Sequence, residues 1–169
     1  MRRVLVALLF LSLAAPATSV LAQDDVVVYL VRHAERAEDG TEDPPISEAG
    51  ETRARLIGRM LQNAGVTDIY STNYQRTRAT AEPTAARLGL EVQPYAPRDL
   101  AAFARQLLET PGRHLVGGHS NTTPALVREL GGDPGEPIDE SEYDRLYIVV
   151  ADGDGVSTVL LRFGVPFPG

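Results

Sequence analysis

Short apolar runs alternate along this chain with longer stretches in which apolar residues recur every three or four positions. "VVVYLV", Val26–Val31, is an unbroken run of β-branched, aromatic and aliphatic residues, the pattern of a strand covered on both faces. After a polar loop, "SEAGETRARLIGRMLQNAG" predicts a helix with Ser47 as N-cap. Ala54, Ile57, Met60, Leu61 and Ala64 fall on one face, and Gly65 is the stop. "TDIYST" reads as a second strand. "QRTRATAEPTAARLG" reads as a helix in which Pro83 removes an internal hydrogen bond at a cost of ~3 kcal/mol, so a kink or restart is expected there. "LEVQPY" is a third strand, Asp99 caps the helix "LAAFARQLLE", and "RHLVGGH" is a fourth strand. It leads into a helix "PALVREL" with Pro124 in its first turn and Gly131 and Gly132 at its end. Two β-rich runs around Asp152-Gly153-Asp154-Gly155 predict a hairpin at the sheet edge.

Strands alternating with helices predict an α/β fold of three layers, α/β/α: a mainly parallel sheet with an antiparallel edge hairpin and helices on both faces. In such sheets ligands bind at the carboxyl ends of the strands. "VRHAE" and "GGHSN" both fall there.

The first residues change the picture of where the fold begins. A basic start, an apolar run from Val4 to Ala15 and small residues before Gln23 form a secretory leader pattern, with the cut expected after Ala22. The run is broken at Pro16 and is shorter than the roughly 20 apolar residues of a spanning helix, so no membrane partner is expected after cleavage. The expected organisation is a leader over 1–22 and one domain over 23–169, exported to a periplasmic or extracellular space. Loss of Arg2 and Arg3 takes the formal charge from −7 to −9, which argues against nucleic acid as a partner. Cysteine is absent, which excludes thiol chemistry and disulfides. All 16 basic residues are arginine, so Schiff-base lysine chemistry and a phosphate-loop lysine are excluded as well.

Four residues on separate elements can meet at the sheet rim: Arg32 and His33 after the first strand, Arg76 early in the second helix, and His119 after the fourth strand. Two guanidinium groups match the charge of a phosphate monoester and present planar donor forks to its oxygens. A neutral imidazole between them can attack phosphorus, and a second can donate to an equatorial oxygen. No metal or other cofactor is needed if the arginines neutralise the charge. The three histidines, His33, His114 and His119, offer no pair at helical metal-ligand spacing, and His114 reads as an ordinary strand residue.

"LVRHAE", "YSTNYQRTRATA" and "LVGGHSNTTP", in that order, resemble the histidine phosphatase superfamily, the phosphoglycerate-mutase-like fold. "ISEAG" also resembles its Leu-Ser-x-x-Gly helix start. The resemblance spans essentially the whole chain after the leader. It implies a phosphatase acting through a covalent phosphohistidine on His33, with Arg32, Arg76, His119 and the helix start after Asn121 holding the phosphate. It also implies a small phosphorylated substrate or a phosphoprotein as partner. A mutase is disfavoured by the short chain and the lack of lysine.

The family's proton donor is an acidic residue beyond the third strand. Asp99 is nearest by position, although the longer Gly-Trp-rich motif that carries it in mutases is missing here. Glu35, two residues past His33, is the competitor. Asp99 reads equally as a helix cap, and Glu35 as an ion-pair partner of Arg36 or Arg53. Without a donor, good leaving groups such as phosphohistidine would still be hydrolysed. Arg78 is either at the pocket mouth or solvated, and "AEDGTED" reads as a solvated acidic loop. A serine-hydrolase elbow at Ser120 fails because Thr122 replaces the last glycine and no histidine follows. The alternative from another class is a phosphoryl-group binding or sensing module with negligible turnover.

Overall fold

The computed structural model describes residues 25–169, so the expected leader and its cut lie outside the described residues. Ten elements follow in order: β1 (Val26–Arg32), α1 (Glu48–Leu61), β2 (Asp68–Ser71), α2 (Gln75–Leu88), β3 (Val92–Pro94), α3 (Leu100–Glu109), β4 (Gly112–Gly118), α4 (Thr122–Glu129), β5 (Arg145–Asp152) and β6 (Gly155–Arg162). They build one six-stranded sheet in the order β3-β2-β4-β1-β5-β6. The first four strands in that order are parallel, and β5 and β6 form the antiparallel edge hairpin that the sequence pattern predicts; the structure sets that hairpin against β1.

The unbroken apolar run of β1 is explained by its two covered faces. Val26, Val28 and Leu30 pack with Phe103, Leu107 and Leu126 of α3 and α4, while Val27, Tyr29 and Val31 pack with Ile57, Leu61, Ala81 and Ala85 of α1 and α2. Each such side chain, once buried, contributes about 1.5–3 kcal/mol. The chain leaves β1 through α1 on one face and leaves its neighbour β4 through α4 on the other. Adjacent strands whose crossovers part in this way leave a crevice at their carboxyl ends.

Of the kink or restart expected at Pro83 the restart is not found, and Met60 leaves its expected face. α2 runs as a single helix through Pro83 instead of restarting. The carbonyl that loses its donor belongs to Ala79, which is only half-buried and so within reach of water, and Gly58 of α1 allows close packing at this point, since a Cβ there would lie 3.3 Å from the Pro83 backbone. Met60 stands 40% exposed, off the α1 stripe of Ala54, Ile57 and Leu61. Among the described residues no helix is long and apolar enough to cross a membrane.

Candidate active site

Register brings the two rim histidines together. Arg32 pairs with Gly118 across the β1–β4 ladder, and the His33 amide adds one more bond by donating to the Gly118 carbonyl at 2.9 Å. The imidazoles of His33 and His119 therefore stand edge to face with centroids 5.4 Å apart. Gly118 keeps this rim tight, because a Cβ there would lie 2.8 Å from Thr123 Oγ1 and 3.2 Å from the Tyr95 hydroxyl. Gly50 does the same beneath the loop after His33: a Cβ would sit 2.3 Å from the Glu35 carbonyl, which also accepts from the amide of the α1 cap, Ser47. Thr80 ties α2 to this loop. Its hydroxyl accepts from the Ala34 amide at 2.9 Å and donates to the Arg76 carbonyl at 2.7 Å.

His33 is held in one tautomer. Its Nδ1 lies 2.8 Å from the Ala34 carbonyl, which can only accept, so the proton is on Nδ1 and the lone pair on Nε2. Burial, reinforced by the positive charges of Arg32 and Arg76, outweighs the Ala34 hydrogen bond and pushes its pKa down to about 3. Burial, then Arg76 and Arg32, brings His119 down to about 4. Its Nε2 is 2.9 Å from Thr72 Oγ1, and Tyr74 packs edge-on against its ring. Both imidazoles are neutral at ordinary pH.

The arginines are charged and incompletely satisfied. Arg32 Nη1 donates to the carbonyls of Asp139 and Glu142 at 2.8 and 2.9 Å, Nη2 reaches the Glu140 carboxylate at 3.2 Å, and the guanidinium stacks 4.2 Å over the Tyr143 ring. Arg76 lies 4.6 Å over the Tyr74 ring and reaches Asp43 at 3.4 Å. The Nε of each is buried without a partner. Unspent charged donors beside two neutral imidazoles can bind an anion.

A cavity of about 510 Å³ opens here, lined by His33, Arg36, Tyr74, Arg76, Pro97, His119, Ser120, Asn121, Thr122 and Glu140. Of the residues singled out in the sequence, His33, Arg76, His119 and Asn121 line it, and Arg32 is buried against its Glu140 edge. The two carboxyl candidates are placed elsewhere. Asp99 accepts from the Ala102 amide at 3.1 Å as the cap of α3 and lines a different cavity, with Tyr95 and Phe103. Glu35 grips Arg53 with both oxygens at 2.7–3.0 Å and lines a third, with Leu56 and Val165. His114 is buried in β4 and donates from Nε2 to the Thr110 carbonyl at 2.9 Å, while Arg78 is exposed. The acidic loop is not wholly solvated, since Asp43 holds both Arg76 and the Gln75 amide. Among the described residues no three side chains converge as metal ligands.

Sequence reasoning missed Glu140, Tyr143, Thr72, Tyr74 and Arg36. No sequence signal marks the first two. The structure places them: β5 runs antiparallel to β1 with Leu146 opposite Val31, so the residues before Arg145 lie at the rim where β1 ends.

The family model for the histidine phosphatase superfamily, branch 1, matches residues 28–97, which hold the first two motifs. Curated relatives from Photorhabdus laumondii and Citrobacter koseri, each named "Probable phosphoglycerate mutase GpmB", are 39% identical over 71 residues, covering 38% of this chain and 33% of theirs. The chain thus spans about a third of the length of the curated relatives it matches. Among solved structures, the protein histidine phosphatase SixA complexed with tungstate superposes with a TM-score of 0.63 at 21% identity, over 80% of this chain and 94% of that one. A mycobacterial glucosyl-3-phosphoglycerate phosphatase superposes with a TM-score of 0.58 at 15% identity, over 82% and 98%. The sequence match falls on the histidine phosphatase superfamily, and the fold is the phosphoglycerate-mutase-like α/β fold of these neighbours.

Proposed function

We propose that this chain is a phosphatase that works through a covalent phosphohistidine on His33. The observation that carries the reading is the His33 ring itself: neutral, its proton fixed on Nδ1 by the Ala34 carbonyl, and beside the buried Arg32 and the part-buried Arg76, each with a buried Nε that has no partner.

In the first step the Nε2 lone pair forms a bond to phosphorus while the bond from phosphorus to the leaving oxygen breaks. Arg32 and Arg76 neutralise the phosphoryl oxygens, and His119, with the helix start at Asn121 and Thr122, stabilises the charge that develops on them. In the second step water attacks the phosphorus, the bond to nitrogen breaks, and the electron pair returns to Nε2. Phosphate monoesters or phosphohistidine fit this chemistry. Export follows from the leader pattern alone and belongs to the same reading.

A second reading is supported by one observation: Asp99 and Glu35 both stand outside the cavity, which favours a phosphoryl-binding module with negligible turnover. Release of p-nitrophenol from its phosphate ester, in chelator, separates the two. The chain should turn over, and His33→Ala should lose about a thousandfold or more in rate. Equal rates would remove the phosphohistidine mechanism, and vanadate binding without turnover would leave the binding module.

A further inference from the structure

A phosphatase of this kind needs a proton for any leaving group that departs as a poor alkoxide. Among the residues lining the His33 cavity, Glu140 is the one carboxylate. It sits on the loop between α4 and β5 with its side chain 76% exposed, Oε2 3.2 Å from Arg32 Nη2 and Oε1 accepting from Ser120 Oγ at 2.6 Å. Ser120 follows His119 directly. Glu140 is thus joined by one hydrogen bond to the residue next to one imidazole, and by another to the arginine that precedes the other.

The backbone that carries this exposed carboxylate is held in place. The neighbouring carbonyls of Asp139 and Glu142 hold Arg32, and the Asp139 amide donates to the buried Glu142 carboxylate at 3.2 Å. Arg145 in turn grips Glu142 and the carbonyls of Glu136 and Pro137.

Glu140 also lies on a boundary. A second cavity of about 370 Å³ shares Ser120, Asn121 and Glu140 with the first, and continues over Pro124, Ala125, Pro137 and Ile138 to Arg128. A phosphoryl group held at the arginines and His33 has this largely apolar chamber beside it, on the far side of Glu140.

We propose that Glu140 is the proton donor of the reaction, serving a leaving oxygen whose organic group extends into the second cavity; this rests on the phosphatase reading above. In the first step the carboxyl proton passes to the leaving oxygen as the phosphorus–oxygen bond breaks, which releases an alcohol and leaves Glu140 ionised. In the second step the carboxylate takes a proton from the attacking water as the phosphorus–nitrogen bond breaks, which restores the carboxyl.

The test compares two esters, p-nitrophenyl phosphate with a good leaving group and glycerol phosphate with a poor one, in the full chain, Glu140→Gln, Glu140→Asp and His33→Ala. Glutamine keeps groups that can bond Arg32 and Ser120 but carries no acidic proton. In the first turnover, which reads departure of the leaving group before water attacks, Glu140→Gln should release p-nitrophenol within about threefold of the parent rate and glycerol about a hundredfold or more slowly. Glu140→Asp should recover part of that loss. Equal first-turnover losses on both esters would make Glu140 a positioning residue only, and no first-turnover loss on either would remove it as the donor; each overturns the proposal. A parent chain that hydrolyses only the p-nitrophenyl ester, well above His33→Ala, overturns the donor while the phosphatase stands. A parent no faster than His33→Ala on both overturns the phosphatase and the donor together.

Discussion

Arg145 and Arg32 are both more than nine-tenths buried and both hold the loop that leads into β5, but they are satisfied in opposite ways. Arg145 meets the buried Glu142 carboxylate at 2.5 and 2.9 Å, the Tyr147 hydroxyl at 3.0 Å and two backbone carbonyls. Burial, the largest single cause, would lower its pKa, but the hydrogen bonds and charges of Glu142 and Tyr147 together outweigh it and raise the pKa. Arg32 has backbone carbonyls, one largely exposed carboxylate and a buried Nε with nothing to bind, and burial prevails and lowers its pKa. A buried cation matched by a buried anion holds a loop in place. A buried cation left with spare donors next to a neutral imidazole is arranged for an anion that arrives later.

Breaking the matched side has the largest expected effect on stability. Glu142→Ala strands Arg145 in the interior, and urea unfolding should show a loss of about 3–5 kcal/mol. Arg162, which also reaches Glu142, is half-exposed and compensates little. The Glu142 pKa is lowered, because burial, which would raise it, is outweighed by the bond from Arg145 and those that follow. This contribution is therefore present above the ordinary carboxyl pKa and lost as pH falls through the lowered one.

The unmatched side is sharpened by titration. Both ring nuclei of His33 and His119 should keep neutral chemical shifts from about pH 8 to about pH 5, and an ordinary imidazole transition near pH 6.5 in either ring would mean that the cradle is open to water. Since the unfolded chain takes up these protons near pH 6.5 and the folded chain only near 3 and 4, the two rings lower stability progressively as pH falls through that window. A bound phosphate analogue should raise both values.

The smallest effect is expected at the carboxyl that lies outside both clusters. Asp99→Ala should cost about 1 kcal/mol through loss of the α3 cap and leave p-nitrophenyl phosphate hydrolysis within about twofold. A selective loss on glycerol phosphate would return the donor role to Asp99.

Local signals were legible wherever periodicity and caps agreed. The strand run at Val26–Val31, the Ser47 and Asp99 caps and the Asp152–Gly155 turn all appear as read, because each depends on residues close in the chain. The restart at Pro83 failed because one missing hydrogen bond at a half-exposed carbonyl is small against the packing of α2 on α1. Glu140 was invisible for a different reason: it meets Arg32 across 108 positions, from a loop that carries no motif of its own.

By itself, then, the chain determined the strands, the helices and the residue types that could hold a phosphoryl group, since apolar periodicity and side-chain chemistry are written in neighbouring residues. Only the tertiary structure decided that β5 lies against β1 and not at some other edge of the sheet, and with it which carboxylate reaches the rim. Strand neighbours are chosen by the burial of whole faces, and no short stretch of sequence records that choice.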